Sequence, residues 1–600
     1  MSSGLFGRAW GFVLVLVVAL QGAASFSYDF VDYDDPFTIV EHELVNGLDE
    51  RPLLDYFRPQ QFRGVMEYMP LKTLSLAVDR ALFGPAPSAF RLQQLLWYLL
   101  CVLGVWMWSR AFLRAVGKPD NLVAAAASLL FAVHPAHVES ATWLSGRKEL
   151  MCGALSFAVL YLAFQPGLRA RVGACACAAL ALLSKPIALM LLPCVLVQEL
   201  VVQSPGQWRS ALRRHAALYL TLVSMSAFVL YMYAQTVPDA AQTLSLDLTH
   251  RPFQGPTWLR IPQQLGLFAR FAVLPLGLSP ELPRSLLGSS LHEPRAWVWG
   301  ILGIALAGVA IAGAYQRKPW AALLLLFILP LVPIIINPPW AQYVAGRYLF
   351  LSTAPLALGL SWAAMTLAHR APRLRTLLQS ALLIVVLVWG LERRAYDASF
   401  HDSVALWTQA SAQFPEEPWH ARRAALALRK AGREVEAAHY LQRCLALAPQ
   451  DSSCSAELGA MLVHDAPDQA ELLLQAALSG DVTGVAHRDL AFLWAAHGRA
   501  AEGATLYRSW LASHPAEAEQ VKPMIGLALA THDRELTRRS LQQFVQGLAR
   551  ELPTRPPPVE LIERTARGLD EPALAQSARD AAAACQRTDC FATRMYGRAH

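Results

Sequence analysis

The loop that follows the first apolar run reads YDFVDYDDPFTIVEHELVNGL. It sets Asp29, Asp32, Asp34 and Asp35 among Tyr28, Tyr33 and Phe37. Adjacent carboxylates just after a membrane helix can take a proton from a hydroxyl or hold a divalent cation. A solvated acidic loop that caps the next helix would use the same residue types. A second cluster, HPAHVESATWLSGRKEL, carries His134, His137, Glu139, Arg147, Lys148 and Glu149. The two histidines, three residues apart, can share one helical face, but a third ligand at zinc spacing is lacking. Arg147 offers planar paired donors and Lys148 a point charge, the two usual ways of holding a phosphate. An ordinary juxtamembrane basic pair has the same sequence. Lys185 in LLSKPIAL, and Arg347 with Tyr348 in AQYVAGRYLFL, add cations at the ends of apolar segments. There a cation either snorkels to the interface or meets an anionic lipid head group. Carboxylates, cations and aromatic rings gathered at a membrane surface suit a phosphate-bearing lipid.

The elements that must position these groups are membrane helices. Hydrophobic residues make up 54% of the 600-residue chain and charged residues 16%, below the roughly 25% charged of soluble domains. The deficit ends near Trp389. The expected fold is all-α: a polytopic membrane helix bundle over 1–395, a soluble tetratricopeptide-type solenoid over 396–550, and a Pro-rich linker with a terminal helical segment over 551–600. The run Trp10–Ala24 is either a cleaved signal peptide or a first span. Basic clusters at Arg110/Arg114, Arg169/Arg171, Arg213/Arg214, Arg317/Lys318 and His369/Arg370/Arg373/Arg375 all fall inside if the first run is retained and the weak Leu259–Leu278 segment re-enters without crossing. That gives about eleven crossings, an N-terminus in the cytoplasm and a C-terminal domain outside. The segments Tyr28–Gln61, His134–Glu149, Lys185, Gln235–Arg260 and Asn337–Tyr348 then share the outer face, where such a polar cluster signals function.

The net charge of +7 lies in topology-setting loops rather than in the basic stripe of a nucleic-acid surface, so no nucleic-acid partner is expected. No phosphate-cradling glycine loop of the nucleotide-binding kinds and no Ser/His/Asp hydrolase motif is present, which argues against direct use of a nucleotide sugar.

Five passages carry a family resemblance: VDYDDPFTIVEHELV, YMPLKTLSLAVDRALFGPAPSAFRLQQLLWYLL, LLFAVHPAHVESATWLSGRKELMCGALSF, LLSKPIALMLLP and AGRYLFLSTAPLALGL. With the repeats that follow, the chain resembles bacterial relatives of the transmembrane and tetratricopeptide-repeat O-mannosyltransferases, within the C-type glycosyltransferase superfamily. The resemblance implies a polyprenyl-phosphate-linked sugar donor, an outer-face active site, and an essential acid in the first loop, carried over to Asp34 and Asp35. One carboxylate would take the proton of an acceptor hydroxyl while the lipid phosphate leaves, with inversion at the anomeric carbon. Arg147, Lys148, Lys185 or Arg347 would stabilise the leaving phosphate, with His134, His137, Glu139 and Tyr348 in support. No cofactor is certain; a divalent metal ion, if used, would sit at Asp34 and Asp35. The expected place is a bacterial inner (cytoplasmic) membrane, with the repeats on its periplasmic side holding a protein or glycan acceptor. The chain departs from many relatives at Gly346, where they have aspartate, and at Ala89, Phe90 and Gln93, where they have a His-His pair and an asparagine. Gly346 favours the alternative, a catalytically degenerate membrane-anchored repeat adaptor that binds an envelope protein.

The repeat reading rests on spacing. Pro415 and Pro449 are 34 residues apart, and Gly432 and Gly498, each before an arginine, are 66 apart. That fits a 34-residue helix-pair period with one shortened repeat. Cys444 with Cys454, and Cys585 with Cys590, are the disulfide candidates if this part faces an oxidising compartment.

Overall fold

The computed structural model describes residues 3–513 except 50, 63–67, 203–207, 237–254, 337–342 and 482–483. Beyond 513 it describes positions 538, 542, 573 and 576. Cys585, Cys590, the Pro-rich stretch and most of 235–260 lie outside the described residues. The chain divides into two compact units, the first ending at Phe414 and the second beginning at Pro415. Every regular element among the described residues is helical.

The longer helices of the first unit are α1 Ser3–Gly22, α2 Pro70–Phe83, α3 Arg91–Ala115, α4 Asn121–Val133, α5 Arg147–Leu162, α6 Leu168–Ser184, α7 Leu191–Val202, α8 Ala216–Thr236, α9 Thr257–Val273, α10 Pro294–Tyr315, α11 Pro319–Ile328, α12 Thr353–Arg370, α13 Arg375–Ser399 and α14 Ser403–Gln413. Six described segments are long and apolar enough to cross a membrane: Ala9–Ser27, Pro87–Ala115, Ala216–Thr236, Pro294–Tyr315, Pro319–Ile336 and Pro372–Ser399. A seventh arises if α4 and the segment Pro135–Ala141, bent by 55°, count as one span. The chain is a multi-pass membrane protein. Among the described residues α5, α6 and α7, counted in the eleven crossings expected, have 16, 17 and 12 residues, under the ~20 that an upright span needs.

Large apolar side chains point outward along these helices, among them Phe12, Leu220, Ile304, Ile311, Leu383 and Leu387. In water such faces would be unstable; against lipid they are solvated. Polar groups turn inward instead. The Trp10 indole donates to Ser128 Oγ at 3.2 Å, and Trp108 to Gln198 Oε1 at 2.9 Å. Small residues let helix backbones approach. A Cβ at Gly303 would come within 2.0 Å of the Pro262 carbonyl, and one at Gly266 within 2.1 Å of the Trp299 carbonyl. So α9 lies along α10. It covers most of the weak apolar segment, and its 17 residues are not among the spans.

The second unit begins with three helix pairs, α15 Pro418–Lys430 with α16 Glu434–Leu447, α17 Ser452–Leu462 with α18 Pro467–Ala477, and α19 Val485–Ala496 with α20 Ala500–Ser513. Alanine makes close pairing possible: Ala421, Ala424, Ala425, Ala437, Ala470, Ala477, Ala486 and Ala491 are buried beside Leu428, Leu441, Leu474 and Leu490. Two of the turns use the same device. Gly432 and Gly498 adopt φ of 74° and 80°, a region open to glycine. The arginine after each turns back by its N–H to Leu428 O or Trp494 O and pairs with the glutamate three residues on, Glu436 or Glu502. Cys444 and Cys454 are disulfide-bonded across the Pro449 turn, with Cα atoms 6.3 Å apart. α14 falls within the first unit, and its Trp407 donates to the first loop at Asp32 O.

Candidate active site

The acidic loop is held by residues far along the chain. Asp32 N–H donates to Ser403 Oγ at 2.7 Å, and its carbonyl accepts from the Trp407 indole at 3.2 Å. Asp29 N–H donates to His401 O at 2.8 Å. The Tyr28 hydroxyl donates to Asp397 Oδ2 at 3.0 Å, and Asp397 Oδ1 takes the Thr142 hydroxyl. Arg91, at the start of α3, donates to the carbonyls of Asp29 and Thr142. The Tyr33 ring lies between Trp143, stacked at 4.9 Å, and Trp407, edge-on at 5.6 Å.

Within this frame the two candidate acids differ. Asp35 is 1% exposed. Its Oδ1 accepts from the Ser145 amide at 3.1 Å and the Ser145 hydroxyl at 2.5 Å, and its Oδ2 accepts from the Val31 amide at 3.1 Å. Burial pushes its carboxyl above the usual aspartate range, against the pull of those hydrogen bonds. Asp35 therefore clamps the first loop onto the second cluster, and both its oxygens are occupied. Asp34 is half-buried. It lies within electrostatic reach of Arg347 and of Tyr33, and its carbonyl takes both the amide and the hydroxyl of Thr38 at 2.9 Å.

Arg347 is a cation within electrostatic reach of Asp34. It pairs with Glu139 Oε2 at 2.9 Å and donates to Pro280 O at 3.3 Å. Its guanidinium lies 5.0 to 5.9 Å from the ring centres of Tyr348, Trp143 and Tyr33, which favours a charged group among aromatic faces. Glu139 Oε1 accepts from the Gly346 amide at 3.0 Å and the Tyr396 hydroxyl at 3.2 Å. A Cβ at position 346 would stand 2.6 Å from that oxygen. Gly346 is thus what lets the backbone reach Glu139, and the departure from aspartate has a local steric reason. Lys185 pairs with Glu149 and sits over the Tyr348 ring at 5.9 Å. Lys148 is buried and within electrostatic reach of Tyr348.

Three expectations from sequence meet other surroundings. Arg147 is fully buried. It pairs with Asp79 at 2.5 Å and donates to Gln94 and Gln93 Oε1 and to the carbonyls of Phe90 and Ser75. With these partners the guanidinium holds α2, α3 and α5 together. Both ring nitrogens of each histidine are also engaged. His134 meets Ala272 O and the Ala136 amide, and His137 meets Thr353 Oγ1 at 2.8 Å and the Tyr98 hydroxyl at 3.2 Å. They brace the bend after α4. Finally, the described residues show no metal-type grouping at Asp34 and Asp35. The one found, Cys444 with Asp451 and Cys454, is explained by the disulfide.

Sequence reading missed Asp79, Arg91, Gln94, Asp397, Tyr396 and Trp407. Gln94 donates to the carbonyls of Ser140 and Trp143. A charged or amide residue inside or at the end of an apolar run was the available signal for Asp79, Arg91, Gln94 and Asp397.

No family model matches the chain. A curated relative, a protein O-mannosyl-transferase of Caenorhabditis elegans, is 28% identical over 167 residues, 26% of this chain and 24% of that protein. The chain therefore matches about a quarter of the relative's length. Over that stretch it is similar to an O-mannosyltransferase, as the motifs suggested. Among solved structures, ArnT from Cupriavidus metallidurans, described as bound to undecaprenyl phosphate, superposes with TM-score 0.35 and 16% identity over 76% of this chain and 80% of ArnT. Pseudomonas aeruginosa pilF superposes with TM-score 0.25 and 14% identity over 33% of this chain and 84% of pilF. Both superpositions are loose.

Proposed function

We propose that this protein is a membrane glycosyltransferase of the C type, O-mannosyltransferase-like, which moves a sugar from a polyprenyl-phosphate donor to a hydroxyl of a protein or glycan acceptor at the outer face of the membrane. The observation that carries the proposal is the division of labour in the acid pair. Asp35 is tied down by three hydrogen bonds, while Asp34, half-buried, lies within electrostatic reach of Arg347 and Tyr33. Asp34 is the base that takes the acceptor proton. Arg347, with Lys148 and Lys185 close to Tyr348, faces the negative charge that builds on the departing lipid phosphate. Glu139 is a positioning residue, because it acts by aiming Arg347. The attacking hydroxyl forms the new glycosidic bond as the bond to the phosphate oxygen breaks, and its proton goes to Asp34. The disulfide in the second unit supports placing the repeats in an oxidising compartment, the periplasmic side. Gly346, the feature that favoured an inactive adaptor, is accounted for by its contact with Glu139.

The test is transfer of labelled sugar from a panel of polyprenyl-phosphate sugars to an envelope extract, with Asp34→Asn and Asp35→Asn run beside the parent chain. Transfer that vanishes in Asp34→Asn while the variant remains folded supports the proposal. Full transfer by Asp34→Asn would sink it.

A further inference from the structure

A cavity lined in part by Tyr396 lies in the first unit. Its volume is about 380 Å³, within the roughly 300–1,000 Å³ of small-ligand sites. Its walls are Glu392, Ala395 and Tyr396 of α13, Gln409, Ala412 and Gln413 of α14, and a floor of Pro135, Pro275, Gly277 and Leu278. It adjoins the candidate active site through shared elements. Tyr396 lines the cavity and donates to Glu139, which holds Arg347. The helix that carries Gln409 and Gln413 also carries Ser403 and Trp407, which pin Asp32.

The chemistry of this cavity differs from that of its neighbour. Its one charged wall residue is Glu392, so it disfavours the anionic group for which the Arg347 cluster is suited. Its amide groups come as a pair, Gln409 and Gln413, one helical turn apart. Such positions stand about 5–6 Å apart on a helix face. That is close to the roughly 6.6 Å between residues on one edge of an extended chain, whose N–H and C=O groups side-chain amides can match. Pro135 and Pro275 in the floor add apolar surface without N–H donors, and Leu278 adds more apolar surface. Gly277, with φ of 74°, keeps this wall thin, since a Cβ there would approach the Gln413 amide to 3.3 Å.

We propose that this cavity binds an extended stretch of polypeptide, with Gln409 and Gln413 bonding its backbone, as the acceptor subsite of the transferase. Only the word acceptor rests on the function proposed above; the peptide site stands on the cavity itself. Two readouts on the purified full chain keep the two ideas apart. One is fluorescence anisotropy with a labelled pool of degenerate peptides centred on Ser or Thr, with methyl hexosides as competitors. The other is the KM for peptide and for donor in the transfer assay. In Gln409→Leu/Gln413→Leu, peptide affinity is expected to fall at least tenfold and the peptide KM to rise likewise, with the donor KM within twofold of the parent. Ala412→Trp, which fills the cavity, gives the same result if the double variant does not fold. No peptide binding by the parent, unchanged binding in both variants, or displacement by methyl hexosides instead of unlabelled peptide would overturn the proposal. If peptide binds and responds to the variants while no donor supports transfer, the transferase reading fails and the peptide site stands.

Discussion

The core of the first unit and the surface of the second use the same charged residue types in different ways. In the first unit the ion pairs around the candidate site are buried: Arg147 with Asp79, Arg347 with Glu139, Lys185 with Glu149. In the second they lie largely at the surface, as with Arg433 and Glu436 or Arg499 and Glu502. A buried pair repays its desolvation only when its geometry is good and its remaining donors are satisfied, and losing one partner leaves a stranded charge. A surface pair is screened and contributes little. Charge therefore specifies structure in the membrane unit, whereas in the repeats the specification comes from alanine packing and glycine turns.

The largest effect expected is on activity. Asp34→Asn should lower sugar transfer at least a hundredfold, and Asp35→Asn should lower it less while reducing the unfolding midpoint, because it removes an acceptor from the Val31 amide (about 1–3 kcal/mol for a buried group left unpaired). Equal losses of transfer in two equally stable variants would erase the distinction between the two acids. The acid limb of the pH profile carries a further sign. The Asp35 carboxyl is raised by burial, so its contribution to stability is present below the ordinary aspartate range and declines as pH rises through the raised value.

Next in size is Arg147→Leu, expected to cost about 3–5 kcal/mol by stranding Asp79. Arg147→Leu/Asp79→Leu should recover part of this in denaturant unfolding of the detergent-solubilised chain. A mild, purely kinetic effect that raised only the donor KM would restore Arg147 as a phosphate contact.

His42, 7% exposed and near Lys72 and Arg51, is pushed down to about 4 by burial first and those cations second. Its stabilising contribution is present above pH 6.5 and is lost as pH falls towards 4, by up to about 3 kcal/mol for a shift of that size. A thermal series from pH 7 to 4 should show a slope that His42→Phe flattens. In the second unit, reduction of Cys444–Cys454 should cost roughly 2–3 kcal/mol, since the closed loop is short. Replacing Arg433 by alanine should leave the midpoint where it is; a large drop there would break the contrast between the units.

Much of the candidate site was legible in the sequence because its residues cluster locally. Asp34 and Asp35 are neighbours, and His134 to Glu149 form one passage. The repeat turns were legible for the same reason, since a period of glycines and prolines is written in the chain itself. What was hidden is direction and long-range partnership. Arg147 and Lys148 look alike as a pair, but successive residues of a helix point about 100° apart, and only a three-dimensional arrangement says which meets Asp79. Asp34 and Asp35 posed the same problem. Asp397 and Trp407 were hidden because they lie more than 360 residues from the atoms they hold.

That separation has a consequence for biogenesis. Tyr28, Asp29 and Asp32 wait for Asp397, His401, Ser403 and Trp407, so the first loop to be translated is among the last to be finished. A ribosome must have passed the final membrane helix before the acid pair acquires its frame. A chain stalled or truncated short of α14 would carry both aspartates and nearly all the spans, yet would lack the partners that frame the first loop.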